Sequence, residues 1–311
     1  MPVDYKDHKE LEKYLGKVDK IFNINELLVK EIDTQDIADY YRESNLGYKF
    51  FHSVDGSIHM ALNYDGEFNK EGYLGQAEIV QKYINLTGAK RILELASGNG
   101  FNSTFLAKNN PDVEFIGIDL TPEHVKYSKE HAKGLPNLRF QQGNFQNLDF
   151  EDNSFDLVFE IESVCHATDM SIALSEAYRV LKSQALFIVI DGFRSQDFDS
   201  FSDDLKTVGK LAELSMAVGN PWKVNEWLSL CEDIGFTLEN LDDLSYAIMP
   251  NLLRFQFFAR GFFKYPGLTK LFIKTLPNYL VQNAIAGIFM PFTIGAGMQL
   301  YMNIALRKLD F

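Results

Sequence analysis

An α/β fold built on a doubly wound, mostly parallel sheet is what this 311-residue sequence predicts, and three observations predict it. Apolar runs of strand length alternate with helical stretches over residues 75–190. The run Ile92-Leu93-Glu94-Leu95-Ala96-Ser97-Gly98-Asn99-Gly100 reads as a strand covered on both faces that breaks into a small-residue turn and then a helix. A second strand, Phe115-Ile116-Gly117-Ile118-Asp119, ends in an acid about twenty residues further on, where a carboxylate can accept from both hydroxyls of a ribose.

The elements follow in order. Residues 1–75 read as a largely helical, polar cap with several Tyr and His near its end. A helix over 75–86 precedes the first core strand, 91–95, and the helix after the turn covers 102–108. The second strand spans 113–118, and Thr121-Pro122-Glu123 opens the next helix, with Thr121 as N-cap and Pro122 at the first helical position. Strands over 138–142 and 155–160 follow, then a helix over 173–182 and a fifth strand over 185–190. Neither an internal repeat nor a low-complexity linker interrupts the chain, so residues 1–311 read as one Rossmann-like unit. Residues 76–195 form its ligand-binding core, and 196–311 supply a C-terminal hydrophobic helical lid and the final strands of the sheet.

The turn has the spacing A-x-G-x-G, with Glu94 at the strand end and no basic residue inside it. A carboxylate there repels a diphosphate and suits a positively charged ligand such as S-adenosylmethionine, while Gly98 and Gly100 let a ligand approach bare backbone. The segment resembles motif I of the class I S-adenosylmethionine-dependent methyltransferases, with Ala96 in place of the first glycine. The resemblance continues through Gln142-Gly143-Asn144-Phe145 and through Leu148-Asp149-Phe150 to Ser154-Phe155-Asp156. It is most specific in Glu162-Ser163-Val164-Cys165-His166-Ala167-Thr168-Asp169 and the helix Glu176-Ala177-Tyr178-Arg179-Val180-Leu181, which are similar to small-molecule enzymes of the sterol and tocopherol branch. Tyr40-Tyr41, Ser57-Ile58-His59-Met60 and Gly295-Ala296-Gly297-Met298-Gln299-Leu300-Tyr301 resemble the flanks of that group.

The resemblance implies a single methyltransferase domain that binds the cofactor through Glu94, Ala96, Ser97, Gly98, Asn99, Gly100, Asp119, Leu120, Asn144, Phe145 and Glu160. Asn144 stands where the family places an acid for the adenine amino group and accepts there through its amide oxygen; Phe145 packs on the adenine ring.

Composition narrows the partners. A net charge of −13 argues against nucleic acid, whose phosphates need clustered Lys and Arg. Two cysteines, Cys165 and Cys231, cannot form a disulfide framework; with a polar N-terminus lacking a signal-type apolar segment they predict a cytoplasmic protein. The longest apolar stretch, 284–297, is broken by Pro291 and glycines and falls short of a membrane span. Residues 245–308 hold seven Lys and Arg and no acid, interleaved with large apolar residues such as Phe257, Phe258, Phe262 and Phe263. Such a stretch reads as a lid over an apolar pocket, and residues 251–275 also suit peripheral contact with an anionic membrane.

Methyl transfer from a sulfonium is an in-line displacement in which alignment and exclusion of water supply about 7 to 11 kcal/mol of barrier lowering. The candidate base is His166, which follows the fourth strand at the mouth of the sheet; His59 is a second candidate and also a pocket-lining residue. A carbon acceptor needs aromatic faces and a carboxylate, which Glu160 and Glu162 beyond the fourth strand offer, although Glu162 also suits capture by backbone hydrogen bonds. Tyr41, His59, His166, Phe258 and Phe262 are the expected acceptor contacts, and no spacing suggests a metal site. Ser163 lacks the setting of a hydrolase nucleophile. Three functions stay open: methylation of a small lipophilic acceptor, N-methylation of a small polar amine, and an inactive cofactor-binding protein that docks on a membrane or partner.

Overall fold

The computed structural model describes residues 8–47, 52–53 and 55–309. The strands are β1 (Arg91–Leu95), β2 (Glu114–Asp119), β3 (Leu138–Gln142), β4 (Phe155–Ile161), β5 (Leu181–Arg194), β6 (Phe236–Asp243) and β7 (Gln299–Lys308). They form one sheet in the order β3-β2-β1-β4-β5-β7-β6. The pairs from β3 to β5 are parallel, and β7 is inserted antiparallel between β5 and β6. Strand order reverses between β1 and β4, and the crevice above the carboxyl ends of these strands is where such sheets bind ligands.

Strand alternation fills both faces. Ile92, Phe115, Leu157, Phe159 and Ile188 join one apolar cluster with α4 (Gly75–Thr87) and α5 (Phe101–Asn109). Leu93, Leu95, Val158, Phe187 and Val189 join the other, with α7 (Met170–Val180) and α9 (Val224–Ile234). Sheets covered on both faces need such near-continuous apolar strands. A third cluster is purely helical and joins α1 (His8–Ile21), α8 (Asp203–Ser215), α10 (Ser245–Phe262) and α12 (Asn278–Gly295) around Val18, Val208, Phe263, Ile285 and Phe289. Between them lie α2 (Ile24–Leu28), α3 (Thr34–Gly47), α6 (Pro122–His131) and α11 (Pro266–Phe272). Helix α12 packs on α3, α8 and α10.

Three local expectations are corrected. Residues 55–69 hold no helix, so the N-terminal region is three helices followed by an irregular segment over the sheet's carboxyl edge. The expected helix over 173–182 ends at Val180, because Leu181 adopts extended dihedrals and begins a β5 of 14 residues rather than a strand over 185–190. Thr121 is the N-cap by position only: its side chain makes no cap bond, and its N–H donates to Asp119 Oδ1 at 2.9 Å.

The turn after β1 is tight. Ala96, Gly98 and Gly100 have φ of 47°, 53° and 77°. Ala96 holds a left-handed conformation without being glycine, which carries a cost of about 1–2 kcal/mol. Both glycines pack closely against neighbouring side chains. A Cβ on Gly98 would lie 2.7 Å from Ile58 Cδ1, and one on Gly100 would lie 2.5 Å from Phe140 Cζ. They serve chain reversal and close packing of the turn. Gly100→Ala is expected to lower stability by about 2–4 kcal/mol in urea denaturation, from left-handed strain and the clash with Phe140 together.

Candidate active site

Three cavities meet above the switch point. The first, of about 120 Å³, lies against the ends of β1 and β2. Glu94, Ala96 and Ser97 form one wall, and Asp119, Leu120 and His124 form the next. Asn144 and Phe145, after β3, form the third, while Ile37 and Tyr41 of α3 and Ile58 and His59 cover it.

Glu94 is 2% exposed. Its Oε2 accepts from Ser103 N at 3.2 Å and its Oε1 from Asn102 Nδ2 at 3.3 Å. Burial pushes its carboxyl up to about 7, against the pull of those donors. Asp119 Oδ2 accepts from Gly98 N at 2.8 Å, which ties the second strand to the turn of the first; His124 Nδ1 lies 3.2 Å from Oδ1. Oδ2, with one donor, keeps acceptor capacity, whereas Oδ1 already meets Thr121 N and His124 Nδ1. Phe145 is half-buried there and Leu120 exposed. Asn144 Oδ1 already accepts from Gln146 N at 2.9 Å, so the amide expected to read an adenine also closes its own turn.

Not every expected ligand contact lines this cavity. Gly98, Asn99 and Gly100 do not, for the packing reasons above, and Asn99 Nδ2 donates to Gly56 O at 3.2 Å. Glu160 faces away from it. Its Oε2 accepts from Ser163 N, Ser163 Oγ and Val164 N, bracing the turn that carries Cys165 and His166. Burial and then the neighbouring Asp191 raise its pKa well above the ordinary carboxyl value, against the pull of those three donors.

The second cavity, also about 120 Å³, lies beneath the first, between Tyr41, Cys165, His166, Asp191 and Tyr301. The third is larger, about 460 Å³, and largely apolar, with Leu252, Phe255, Phe258 and Phe262 of α10 facing Val281, Ala284 and Met290 of α12. Glu162 lines all three. It follows the last residue of β4 with φ 52°, a non-glycine residue in the left-handed region, which turns its side chain into the junction. Oε1 accepts from Met60 N at 2.7 Å and from the Tyr301 hydroxyl at 2.8 Å. Gln76 Nε2 donates to that hydroxyl at 3.0 Å. Among the described residues Oε2 has no hydrogen-bond partner. Burial pushes Glu162 up to about 7. The backbone capture expected for this carboxylate therefore engages one oxygen only.

The two histidines differ. His166 Nδ1 donates to Ala217 O at 3.1 Å, which leaves Nε2 as the lone-pair nitrogen. Burial lowers its pKa to about 4, so the ring is neutral. His59 has carbonyl oxygens at both nitrogens, Met60 O and Asn102 Oδ1, each at 3.1 Å, and no ring nitrogen is left for an acceptor. It is a structural wall of the cavity. Tyr41 stands edge-on to both His124 and His166, linking the first cavity to the second. Sequence reading missed Tyr301, Gln76, Asn102 and the Met60 amide as site groups. For Tyr301 a signal existed in the C-terminal Gly295–Tyr301 likeness, but nothing local says that its strand lands beside β5.

No Arg or Lys among the described residues lines any of the three cavities. A broader groove of about 950 Å³, which includes Arg194, Lys206 and Lys210, lies on the neighbouring surface and contains none of the strand-end carboxylates.

Comparison with known proteins agrees with this architecture. Residues 86–234 match the family model described as a methyltransferase domain. A sterol 24-C-methyltransferase of Aspergillus fumigatus is 28% identical over 212 residues, covering 67% of this chain and 55% of its own. The chain spans about half the length of the curated relatives it matches. A putative sarcosine dimethylglycine methyltransferase from Galdieria sulphuraria superposes with a TM-score of 0.71 at 18% identity, covering 88% of this chain and 99% of that one. A geranyl diphosphate C-methyltransferase from Streptomyces coelicolor A3(2), in complex with S-adenosyl-L-homocysteine, superposes at 0.62 and 15% identity, covering 88% and 97%. At those identities the two structures establish the fold.

The raised carboxyl of Glu162 carries a stability signature. Its folded pKa, about 7, lies above the ordinary value of 4.5, so the stability it contributes is complete below pH 4.5 and is lost as pH rises through 7. Relative to wild type, Glu162→Gln is expected to gain about 2–3 kcal/mol between pH 4.5 and pH 8 in denaturant titrations, because the amide cannot ionise. An unchanged difference across that range contradicts the assignment.

Proposed function

We propose, for a chain whose residues 86–234 match a methyltransferase-domain model and whose motifs resemble class I S-adenosylmethionine-dependent enzymes of the sterol branch, an enzyme that methylates a small lipophilic acceptor of isoprenoid, sterol-like or phenolic kind. The observation that carries this reading is Glu162, whose one unpartnered oxygen lies where a polar, carboxylate-walled cavity meets an apolar one of about 460 Å³.

The first cavity fits S-adenosylmethionine by the chemistry of its walls. Glu94 is a buried carboxylate without a basic partner, which a cationic ligand neutralises. Asp119 offers acceptors to ribose hydroxyls, and Leu120 and Phe145 offer apolar faces to a base. S-adenosylmethionine supplies an electrophilic methyl group when bound. The enclosed space, about 120 Å³, is below the roughly 300–1,000 Å³ of ordinary ligand sites, so the cover formed by α3 and Ile58 moves outward to admit it.

The third cavity suits an uncharged, water-poor acceptor. Its walls are mostly Leu, Phe, Met and Ala side chains, with Tyr40, His52, Glu162 and Asn283 as the polar groups, and no described Arg or Lys faces it to neutralise a diphosphate or carboxylate. A zwitterionic amine finds little there to replace its hydration. At the junction Glu162 accepts the proton that the acceptor releases as its new bond to the methyl carbon forms. Tyr301 and the Met60 amide fix the other oxygen and hold the carboxylate in place. His166, with Nε2 open and Nδ1 held by Ala217 O, is the positioning group for an acceptor hydroxyl.

Methyl-labelled S-adenosylmethionine incubated with the protein and a lipid extract is expected to deliver label to the organic phase. Label confined to aqueous products, or no calorimetric binding of S-adenosylhomocysteine, sinks the reading. Asp119→Ala is expected to weaken S-adenosylhomocysteine binding at least about tenfold, the loss of a good hydrogen bond to a charged group. Glu162→Gln is expected to lower kcat by about 10²–10⁴ with cofactor binding retained. In wild type kcat/KM for S-adenosylmethionine rises with pH through about 7, as Glu162 of the free enzyme becomes a carboxylate, and Glu162→Gln flattens that limb.

A further inference from the structure

Helix α11 turns two leucines outward. Among its described side chains Thr269 is the buried one, with Oγ1 donating to Phe262 O at 2.6 Å, whereas Leu268 and Leu271 are 59% and 64% exposed. Phe257 near the end of α10 is 74% exposed, and Tyr265, between the two helices, is exposed as well. Solvated helices ordinarily put such residues inward.

The charges carried by this knob's own stretch of chain are of one sign, while α1, with Glu10 and Glu12, packs against α11. No acid occurs from 245 to 308, although the whole chain carries −13. Of the seven basic residues there, Arg254 lies over the rings of Phe68, Phe255 and Phe258, Arg260 pairs with Glu10, Arg307 pairs with Glu239, and Lys308 donates to Asn153 Oδ1 and Leu181 O. Lys264, Lys270 and Lys274 remain exposed around the apolar side chains. The third cavity reaches the surface at the same place: Phe258 and Leu276 both line it and stand exposed. No helix among the described residues is long and apolar enough to cross a membrane, so the geometry suits lying on a surface.

We propose that residues 257–276 dock on an anionic lipid bilayer, with Phe257, Leu268 and Leu271 entering the acyl boundary and the three lysines facing the headgroups. The mouth of the apolar cavity then opens onto the bilayer, and the acceptor passes from lipid to Glu162 without crossing water. The inference rests on reading that cavity as a lipophilic-acceptor site. Its own support is the charge complementarity and the inverted exposure of α11. An uncharged bilayer offers the apolar term alone, which is why the surface is assigned to anionic lipid.

Sedimentation with phosphatidylcholine vesicles, with and without about one-third phosphatidylserine, tests it. The protein is expected to sediment with the anionic vesicles and to be released by high salt. Changing Lys264, Lys270 and Lys274 together to Gln should weaken binding on the order of 100-fold, about fivefold per lysine. The pair Leu268→Ser and Leu271→Ser should weaken it at least about tenfold. Retained S-adenosylhomocysteine binding shows that both variants are folded. No sedimentation of wild type, or both variants binding as wild type does, overturns the proposal. So does a dimer that the Leu268→Ser and Leu271→Ser pair dissociates, since the patch is then covered by a second copy. Label transfer to detergent-dispersed lipid in the same preparations separates the two claims. Transfer without vesicle binding removes the docking alone, and vesicle binding without transfer removes the proposed reaction.

Discussion

Buried negative charge without a positive partner is the constraint around which this site is built. Glu94, Asp119 and Glu162 stand at the ends of β1, β2 and β4, within cavities that no described Arg or Lys lines. Burying a carboxylate is costly unless donors compensate it, and here the donors are backbone amides of the neighbouring turns. Gly98 N serves Asp119, Ser103 N serves Glu94 and Met60 N serves Glu162. The compensation is incomplete, as the raised carboxyls of Glu94 and Glu162 show. A site held in this state gains most from a cation, and the fold's stability is set against that gain.

The same constraint explains the strained turns. Ala96, Glu162 and Ala217 are non-glycine residues at positive φ; Ala96 lines the first cavity, Glu162 lines all three, and Ala217 holds His166. Ala96 lets the chain leave β1 sharply enough for Gly98 N to meet Asp119. Glu162 turns its carboxylate out of the strand's alternation, while Glu160, two residues earlier, points into the protein and braces the following turn. Ala217 presents its carbonyl to His166 and so selects the ring tautomer. Such conformations cost about 1–3 kcal/mol each and persist only where their surroundings over-determine them.

Legibility in the sequence followed locality. β1 and β3 were readable to the residue, because apolar runs bounded by turn residues are local signals. Asp119 was readable because its distance from the turn is fixed by one βαβ unit. The features that local pattern does not reach depend on partners elsewhere in the chain. Whether Gly98 and Gly100 spare room for a ligand or for Ile58 and Phe140 is decided by segments far away in sequence. Tyr301 meets Glu162 across 139 residues because β7 inserts antiparallel beside β5, and Met60 reaches it across 102. No periodicity encodes that insertion. The apolar cavity was legible only as composition, a Phe-rich and acid-free stretch; its shape comes from α10 and α12 packing, with Pro250 and Pro291 inside them.

The choice between His166 and Glu162 as the base turns on burial more than on residue type. An imidazole is the commoner proton acceptor, yet burial holds His166 near 4, so its conjugate acid is too strong to form readily at neutral pH. The same burial moves Glu162 the other way, to about 7, and leaves Oε2 facing the junction. One low-dielectric environment thus weakens the histidine as a base and strengthens the carboxylate. A cation beside Glu162 lowers its pKa again and draws it to the ionised form that accepts a proton. On the proposed reading the positive methyl donor prepares its own base: binding ionises Glu162 before the acceptor has a proton to give up. His166 is then better suited to orient the acceptor than to deprotonate it.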